Sequence, residues 1–587
     1  MLSKITYWIT FVILSYLCFT FYPRWEHGGN EATISWDASG YYAYLPAFII
    51  YKDVKQMKFH DSLMQVYGFT PYNTQYKLVD SFGNKTCVYT IGQAINYLPF
   101  FLIAHSLATS LGYPADGYSL PYQVAISLGA LLMGLIGLYY LRKVLLEYFS
   151  EVTTSVTMLI LVFATNYLNY IIIDAGMTHC WIFSWLCILL YHTIQFYKKP
   201  TTYRGIGIGA MVGFITIIRP TDFLCILIPL CWNLHTFSIS GFKNRLAFIL
   251  EHFRKYLFAF IVGASVISIQ FMYWKYTTGH WYSYSYSGEG FSWTKPHFMD
   301  YIFSYRSGWL TYTPIMYLAI FGIYFILRKK FQQVTILITL ACTIWYVTAW
   351  EIWWYGGRAM IQSYAMWVFP LAYVVENLQK NVISRILLSF LFVFGLSYNY
   401  WFTKNIHGGI IDYSNMTKKY FWRSLGKYEI DKREKKFLEI HDYYDGKIKD
   451  SLILFNFHKK NIPIGTDSTF ESNLLNEEEI LFKTSDSVLQ QYEWARLRLR
   501  FQVNKAQWDQ SFMHTMQLLL SHDNKQVRSN TFKLERVCED TEIVNEYLDI
   551  KLSKTDFDKL EWIIKKPKLA NNQLYIHSAE LILFGED

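Results

Sequence analysis

Charge is scarce in this chain. Only 17% of its 587 residues are Asp, Glu, Lys or Arg, against about 25% in an average soluble chain, which excludes an ordinary soluble globule. Paired cysteines are lacking. The eight cysteines, at 18, 87, 180, 187, 225, 231, 342 and 538, lie mostly inside apolar runs and form no C-x-x-C pair, so neither a zinc module nor a disulfide framework is indicated. No small-residue cleavage site follows the apolar run Ile5 to Tyr22 before Arg24-Trp25-Glu26, so that run reads as a retained anchor rather than a signal peptide. A nucleotide-binding domain is missing, and the polar tail has no His/Asp cluster of the kind a metal-dependent phosphoethanolamine transferase would need. Nor do paired repeats or charged, broken mid-membrane helices stand out, as they would in many transporters.

What is present is apolar and aromatic: 52% hydrophobic and 19% aromatic residues, with a mean hydropathy of +0.14. A bilayer needs about 20 apolar residues per span. Runs of that kind fall at 5–23, 120–141, 152–173, 178–197, 203–219, 222–238, 256–275, 309–327, 332–351, 362–378 and 383–402, about eleven in all. The net charge of +9 arises largely from clusters at span ends, so orientation explains it and no nucleic-acid partner is expected. Arg142-Lys143, Lys198-Lys199, Lys243 with Arg245, Arg328-Lys329-Lys330 and Lys380 with Arg385 mark every second connection. The positive-inside rule makes these cytoplasmic. The N-terminus is then inside, and everything after 402 is outside. Counting Tyr89 to Leu111 as a span would invert this order, so it is read as an interfacial or re-entrant helix in the first outside loop, residues 24–119.

Three domains are expected: a membrane module at 1–403, a mixed connecting region at 404–480, and an extracytoplasmic β-sandwich, carbohydrate-binding-like, at 481–587. The last rests on period-2 alternation in Leu497–Val503, Met516–Leu520, Tyr547–Leu552, Leu574–His577 and Glu580–Phe584, which signals antiparallel strands.

Acids, bases and histidine gather on the outside connections, and ionisable residues at a membrane face are functional candidates by default. Asp37 follows Trp36 and leads into Ala38-Ser39-Gly40-Tyr41-Tyr42; it suits a general base, or, structurally, a helix cap. Asp174 and His179 flank a turn between two spans and suit sugar or phosphate orientation, or a capped turn. Arg219 and Asp222 surround Pro220; the arginine fork suits a lipid phosphate, or the two simply pair. The long loop from His280 to Arg306 sets Glu289, Lys295 and Arg306 among aromatic rings that include Trp281, Tyr282, Tyr284, Tyr286, Phe291 and Trp293, which fits either an aromatic belt or a sugar-phosphate site. Tyr355-Gly356-Gly357-Arg358 offers a second fork beside two glycines that permit close backbone approach. Lys85 is a further cation in the first loop.

The order of a single span, an outside loop with an early acid, an interfacial helix, further spans and an outside C-terminal domain resembles the GT-C glycosyltransferases. These include protein O-mannosyltransferases, the lipid A aminoarabinose transferase and oligosaccharyltransferases. Asp37 to Pro46 looks like their first-loop acid and following helix; Tyr89–Gly92, Leu98–Phe101, Met177–His179, Arg219–Thr221 and Trp353–Gly357 look like elements of bacterial members. The resemblance covers about 1–402. It implies a multi-pass enzyme of the bacterial inner membrane that moves a sugar from a polyprenyl-phosphate donor to a glycan, lipid or protein acceptor. Asp37 would be the base, and Arg219, Arg358, Lys85 and Arg306 would hold the donor phosphate. Asp174, His179, Asp222, Glu289, Lys295 and Tyr355 would line the substrate site. Many relatives have two adjacent acids, whereas Asp37 is followed by Ala38, so a cofactor role for Mg²⁺ or Mn²⁺ stays open and no metal ligand is assigned. A transporter or flippase for a lipid-linked or glycan substrate is the alternative.

Overall fold

A computed structural model of the chain describes all residues except 71–75, 80, 82, 287–289, 351–353, 413, 459–469, 472–477, 505–512, 554, 567–571 and 587. The chain divides into two compact units, Met1–His407 and Gly408–Asp587.

The first unit is helical. Among the described residues, six helical segments are long and apolar enough to cross a membrane: Leu2–Glu26, Gly92–Leu111, Leu120–Leu146, Thr178–Lys198, Phe253–Thr278 and Val382–His407. Several turn large apolar side chains outward, among them Phe260, Ile383 and Phe390. A water-facing helix would carry polar residues there, so these surfaces suit lipid. The helices that build the site region are α1 (Leu2–Thr20), α2 (Trp36–Tyr42), α3 (Tyr44–Ile49), α4 (Lys58–Tyr67), α5 (Gly92–Ala108), α6 (Leu120–Leu146), α7 (Glu151–Phe163), α8 (Tyr167–Ile172), α9 (Thr178–Lys198) and α10 (Thr202–Ile218).

Three runs expected as single spans are interrupted. Residues 152–173 split into α7 and α8 around Ala164-Thr165-Asn166, where Asn166 Nδ2 donates to the Gly356 carbonyl, 2.9 Å. Residues 222–238 begin as a 3₁₀ turn at Pro220–Ile226 and a short helix at Leu227–Cys231. Residues 309–327 break at Pro314, whose missing N–H cannot continue the ladder. The run Tyr89–Leu111, read as interfacial, forms α5 and a closing 3₁₀ turn that are long and apolar enough to count as a span. α5 packs against α6, α10 and α2. The first loop also carries a short antiparallel hairpin, β1 (Tyr76–Leu78) with β2 (Lys85–Cys87).

The second unit is built on strands. β5 (Glu478–Thr484), β10 (Lys559–Lys565), β7 (Thr515–His522) and β8 (Lys525–Lys533) form one antiparallel sheet in that order. β3 (Ile448–His458), β11 (Gln573–Glu586), β6 (Trp494–Asn504) and β9 (Ile543–Lys551) form the other, with β4 (Phe470–Glu471) also paired to β11. β3 lies inside the stretch read as a connecting region. The alternation that marks β6 places Leu497, Leu499, Phe501 and Val503 in a core shared with Leu518 of β7 and Trp562 of β10, so both sheets face one core. Two runs read as separate strands, 574–577 and 580–584, belong to the single strand β11. A register shift between Ile576 and Ser578 breaks its alternation, as a β-bulge does.

Candidate functional site

The segment before Asp37 is clamped from several sides. Arg24 donates to the carbonyls of Glu31 (2.9 Å) and Asn30 (3.1 Å), to Ser35 Oγ (3.1 Å) and to Asp174 Oδ1 (2.5 Å). Gln123 of α6 accepts from the Ile34 N–H at 2.7 Å, and Thr33 bonds Ser127 at 3.0 Å. Trp36 then adopts a left-handed conformation, φ 47°, which a bulky residue holds only when its surroundings enforce it; its N–H donates to the Phe69 carbonyl, 3.1 Å.

Asp37 follows in the first turn of α2, one residue inside the helix rather than at its cap, which is Ser35. Its carboxylate faces two donors from distant parts of the chain. Arg358 reaches Oδ2 at 2.7 Å, and the Tyr89 hydroxyl reaches Oδ1 at 2.9 Å. The carboxylate and guanidinium are each about a fifth exposed. Arg358 also lies over the Trp354 ring, 5.2 Å.

Two glycines aim Arg358. Gly356 and Gly357 have φ of 61° and 58°, a conformation that costs a side-chain-bearing residue. Cβ atoms there would approach Asn166 Nδ2 to 2.8 Å and Trp309 Cβ to 2.9 Å. The turn is pinned by the Gly357 N–H on the Ser307 carbonyl, 2.8 Å, and by the Tyr301 hydroxyl on the Gly357 carbonyl, 3.0 Å. The second close approach is at Gly176, where a Cβ would lie 2.7 Å from Ala38 Cβ. Ala38 is buried, so an acid at this position would be driven into the turn that holds Asp174.

A second cluster is organised by Gln362. Its amide nitrogen donates to Asp222 Oδ1 (2.8 Å) and to the Tyr346 hydroxyl (2.8 Å), and its oxygen faces His179 Nδ1 at 2.9 Å. Tyr346 donates to Asp222 Oδ1, 3.1 Å. Arg219, at the end of α10, is 3.3 Å from His179 Nδ1 and 3.9 Å from Asp222 Oδ2. That ion pair is loose beside the one at Asp37. Tyr41 links the clusters. Burial pushes its phenol upward, opposed by the charge of Arg219, with Asp37 and Arg358 also acting on it. Its ring packs on Tyr89, centroids 4.3 Å apart. From the aromatic loop, Tyr286 sets an edge against Tyr89, 5.9 Å.

Five expected site residues, Asp37, Arg358, Arg219, His179 and Asp222, therefore gather around α2, the Gly356–Gly357 turn and the ends of α9 and α10. Others have different surroundings. Asp174 is engaged by Arg24 and Asn169 (2.8 Å); burial works against its charge, but Arg24, His407, Asn169 and Arg358 together outweigh that and hold its carboxyl below the usual range. Lys85 pairs with Asp61 at 3.3 Å and lies over Tyr76. Tyr355 is buried against Tyr312, and its carbonyl accepts from Tyr170 at 3.2 Å. Lys295 and Arg306 are exposed; Arg306 precedes Ser307, whose carbonyl pins the Gly357 turn. Glu289 lies outside the described residues. Gln362, Tyr346, Tyr89 and Arg24 are contributors that sequence reasoning assigned no role. Gln362 opens an apolar run and the tyrosines are among 48, so no sequence signal sets them apart.

Among the described residues, none adds a second carboxylate to Asp37 to make a cation cradle. Both carboxylate oxygens have donors, alanine follows, and among the described residues no group of three or more His, Cys, Asp or Glu side chains comes together to hold a metal ion.

No family model and no curated protein matches the sequence. Among solved structures, the chain is similar to the apo form of an oligosaccharyltransferase from Archaeoglobus fulgidus, at 12% identity and a TM-score of 0.41, covering 74% of this chain and 60% of that one. It is also similar to the arabinosyltransferase EmbB from Mycobacterium smegmatis, at 9% identity and a TM-score of 0.31, covering 84% of this chain and 60% of that one. The chain thus spans about 60% of the length of each.

Proposed function

We propose that the protein is a membrane glycosyltransferase that moves a sugar from a polyprenyl-phosphate donor to an acceptor hydroxyl at the extracytoplasmic face of a bacterial inner membrane. The observation that carries this is the pairing of the Asp37 carboxylate with the Arg358 fork, with a second fork, Arg219, in the neighbouring cluster that Tyr41 links to it. A carboxylate that can accept a proton beside guanidinium groups that can hold a leaving phosphate is the minimum apparatus for this displacement.

In the resting arrangement Arg358 neutralises Asp37. A donor phosphate would compete for the same fork. As Arg358 turns to the phosphate, Asp37 Oδ2 is freed to accept from the acceptor hydroxyl, while Tyr89 keeps the carboxylate oriented. Asp37 then takes the proton of the acceptor hydroxyl. The hydroxyl oxygen bonds to the anomeric carbon from the side opposite the phosphate, and the carbon–oxygen bond to phosphate breaks with its electron pair going to the phosphate. Arg358 and Arg219 stabilise that charge. The phosphate leaves without protonation, so no second acid is needed. Gln362 would hold His179 and Asp222 so that Arg219 stays oriented.

The test is turnover of a radiolabelled polyprenyl-phosphate sugar by the purified protein in proteoliposomes. Release of polyprenyl phosphate that depends on Asp37 supports the proposal. Transmembrane movement of the intact donor without cleavage would support the flippase alternative instead.

A further inference from the structure

The second unit carries a polar hollow of about 410 Å³ on the outward face of its five-stranded sheet. Register explains its composition. One cross-strand row runs Asn456, Glu580, Arg498, Tyr547 over β3, β11, β6 and β9. The next row on β11, β6 and β9 runs Ser578, Arg500, Asn545. Directly opposed side chains on a sheet face are neighbours, so amides, a hydroxyl, a carboxylate and two guanidinium groups share one floor. Strands lie about 4.8 Å apart, so the four-strand row is roughly 14 Å wide. The register shift between Ile576 and Ser578 lies at the edge of this floor and bends β11 there. At the other end Tyr547 forms a wall. It is stacked on Tyr443 and bonded to the Tyr443 hydroxyl at 2.7 Å, with Lys436 and Arg496 over its ring.

The charges do not balance. Arg498 is paired with Glu580 at 3.0 Å, and Glu546 is taken by Lys436 at 2.7 Å. Arg500 is exposed, has no ion-pair partner among the described residues, and stands between Asn545 and Ser578.

We propose that this face binds an anionic oligosaccharide strand, with Arg500 gripping a sugar carboxylate and the amides and Ser578 bonding ring hydroxyls. Three features select this ligand class. A hydroxyl both donates and accepts, and so do the amide and serine groups of the floor. A planar guanidinium holds a carboxylate through two parallel bonds. The width suits an extended chain of rings rather than one small ion. The inference stands apart from the transferase proposal, since it concerns the other unit and needs no residue of the Asp37 site.

The experiment uses the full chain in nanodiscs and calorimetric titration with three probes: a hexamer of galacturonate, maltohexaose as a neutral hexamer, and inorganic phosphate. The expected result is binding of the uronate hexamer at least tenfold tighter than maltohexaose, with phosphate unable to displace it at equal concentration. Arg500→Gln should weaken uronate binding about tenfold or more, the loss of one charge-assisted contact, and Arg500→Lys should restore part of it. Because Arg500 is exposed, thermal melting should not move. Asp37→Asn should bind the hexamer as the parent does. Equal affinity for both hexamers, displacement by phosphate alone, no binding of the uronate, or unchanged affinity in Arg500→Gln would each overturn the assignment.

Discussion

Asp37→Asn separates a base from a merely structural acid. Asparagine keeps the shape of the side chain and can still accept from Tyr89, but it cannot take a proton and leaves Arg358 without its counter-charge. A charge-assisted bond contributes about 1.5–3 kcal/mol. The pair is about one fifth exposed on each side, so solvent offsets part of the loss, and a destabilisation of ~1–2 kcal/mol is expected. That is a small downward move in thermal melting, with the protein still inserted and monodisperse. The effect on chemistry is larger. General base catalysis supplies about 10²–10⁴ in rate, so turnover of lipid-linked sugar should fall by at least a hundredfold. Donor affinity should move the other way. With Asp37 neutral, Arg358 no longer has a carboxylate at 2.7 Å competing with the phosphate, so polyprenyl phosphate should bind several-fold tighter. The assay pairs single-turnover release of polyprenyl phosphate with equilibrium binding in the same proteoliposomes. Turnover above a tenth of the parent rate would remove Asp37 as the base. Slow turnover with weakened phosphate binding would refute the exchange of partners at Arg358 and leave Asp37 as a scaffold for the arginine.

Arg219→Ala and Arg358→Ala should each weaken polyprenyl-phosphate binding about ten- to a hundredfold, with Lys restoring only part because it lacks the fork; unchanged affinity in both alanine variants would take them out of the phosphate site. Ala38→Asp should destabilise the first unit by ~2–4 kcal/mol, since it forces an unpaired charge against the Gly176 turn, and should not make turnover Mg²⁺-dependent; melting and a chelator titration check both. His60 has no hydrogen-bond partner for either ring nitrogen among the described residues and sits among Phe69, Tyr76 and Phe59. Burial pulls its pKa down to about 4, partly offset by Asp61 and reinforced by Lys85. The unfolded chain therefore binds this proton first, stability is full above pH ~6.5, and about 3 kcal/mol is lost as the pH falls toward 4. His60→Phe should flatten the decline of melting temperature between pH 7 and 4.5, and an unaltered slope would show that other groups set it. A C-terminal alkaline phosphatase fusion should be active and the matching GFP fusion dark; the reverse would place the second unit in the cytoplasm and would count Gly92–Leu111 as a crossing.

Composition and period alone determined a great deal here. Long apolar runs can bury their backbone polar groups only as helices in lipid, so the helical first unit was legible, as was the change to strands where period-2 alternation begins. The residues Asp37, Arg219, Arg358, His179 and Asp222 were legible as candidates because charge at a membrane face is rare enough to be conspicuous. Pairing was not legible. The bond from Arg358 to Asp37 joins residues 321 positions apart, and it depends on two left-handed glycines and a strained Trp36, none of which leaves a periodic trace. The same limit hid Gln362 as the hub and Arg24 as the clamp of the first loop, and it merged two apparent strands into β11. It also hid the polar rows of the second unit, since register sets which side chains stand opposite one another. Side-chain spacing along one segment is a local property that sequence displays, whereas the meeting of groups from different segments is settled by which surfaces pack together.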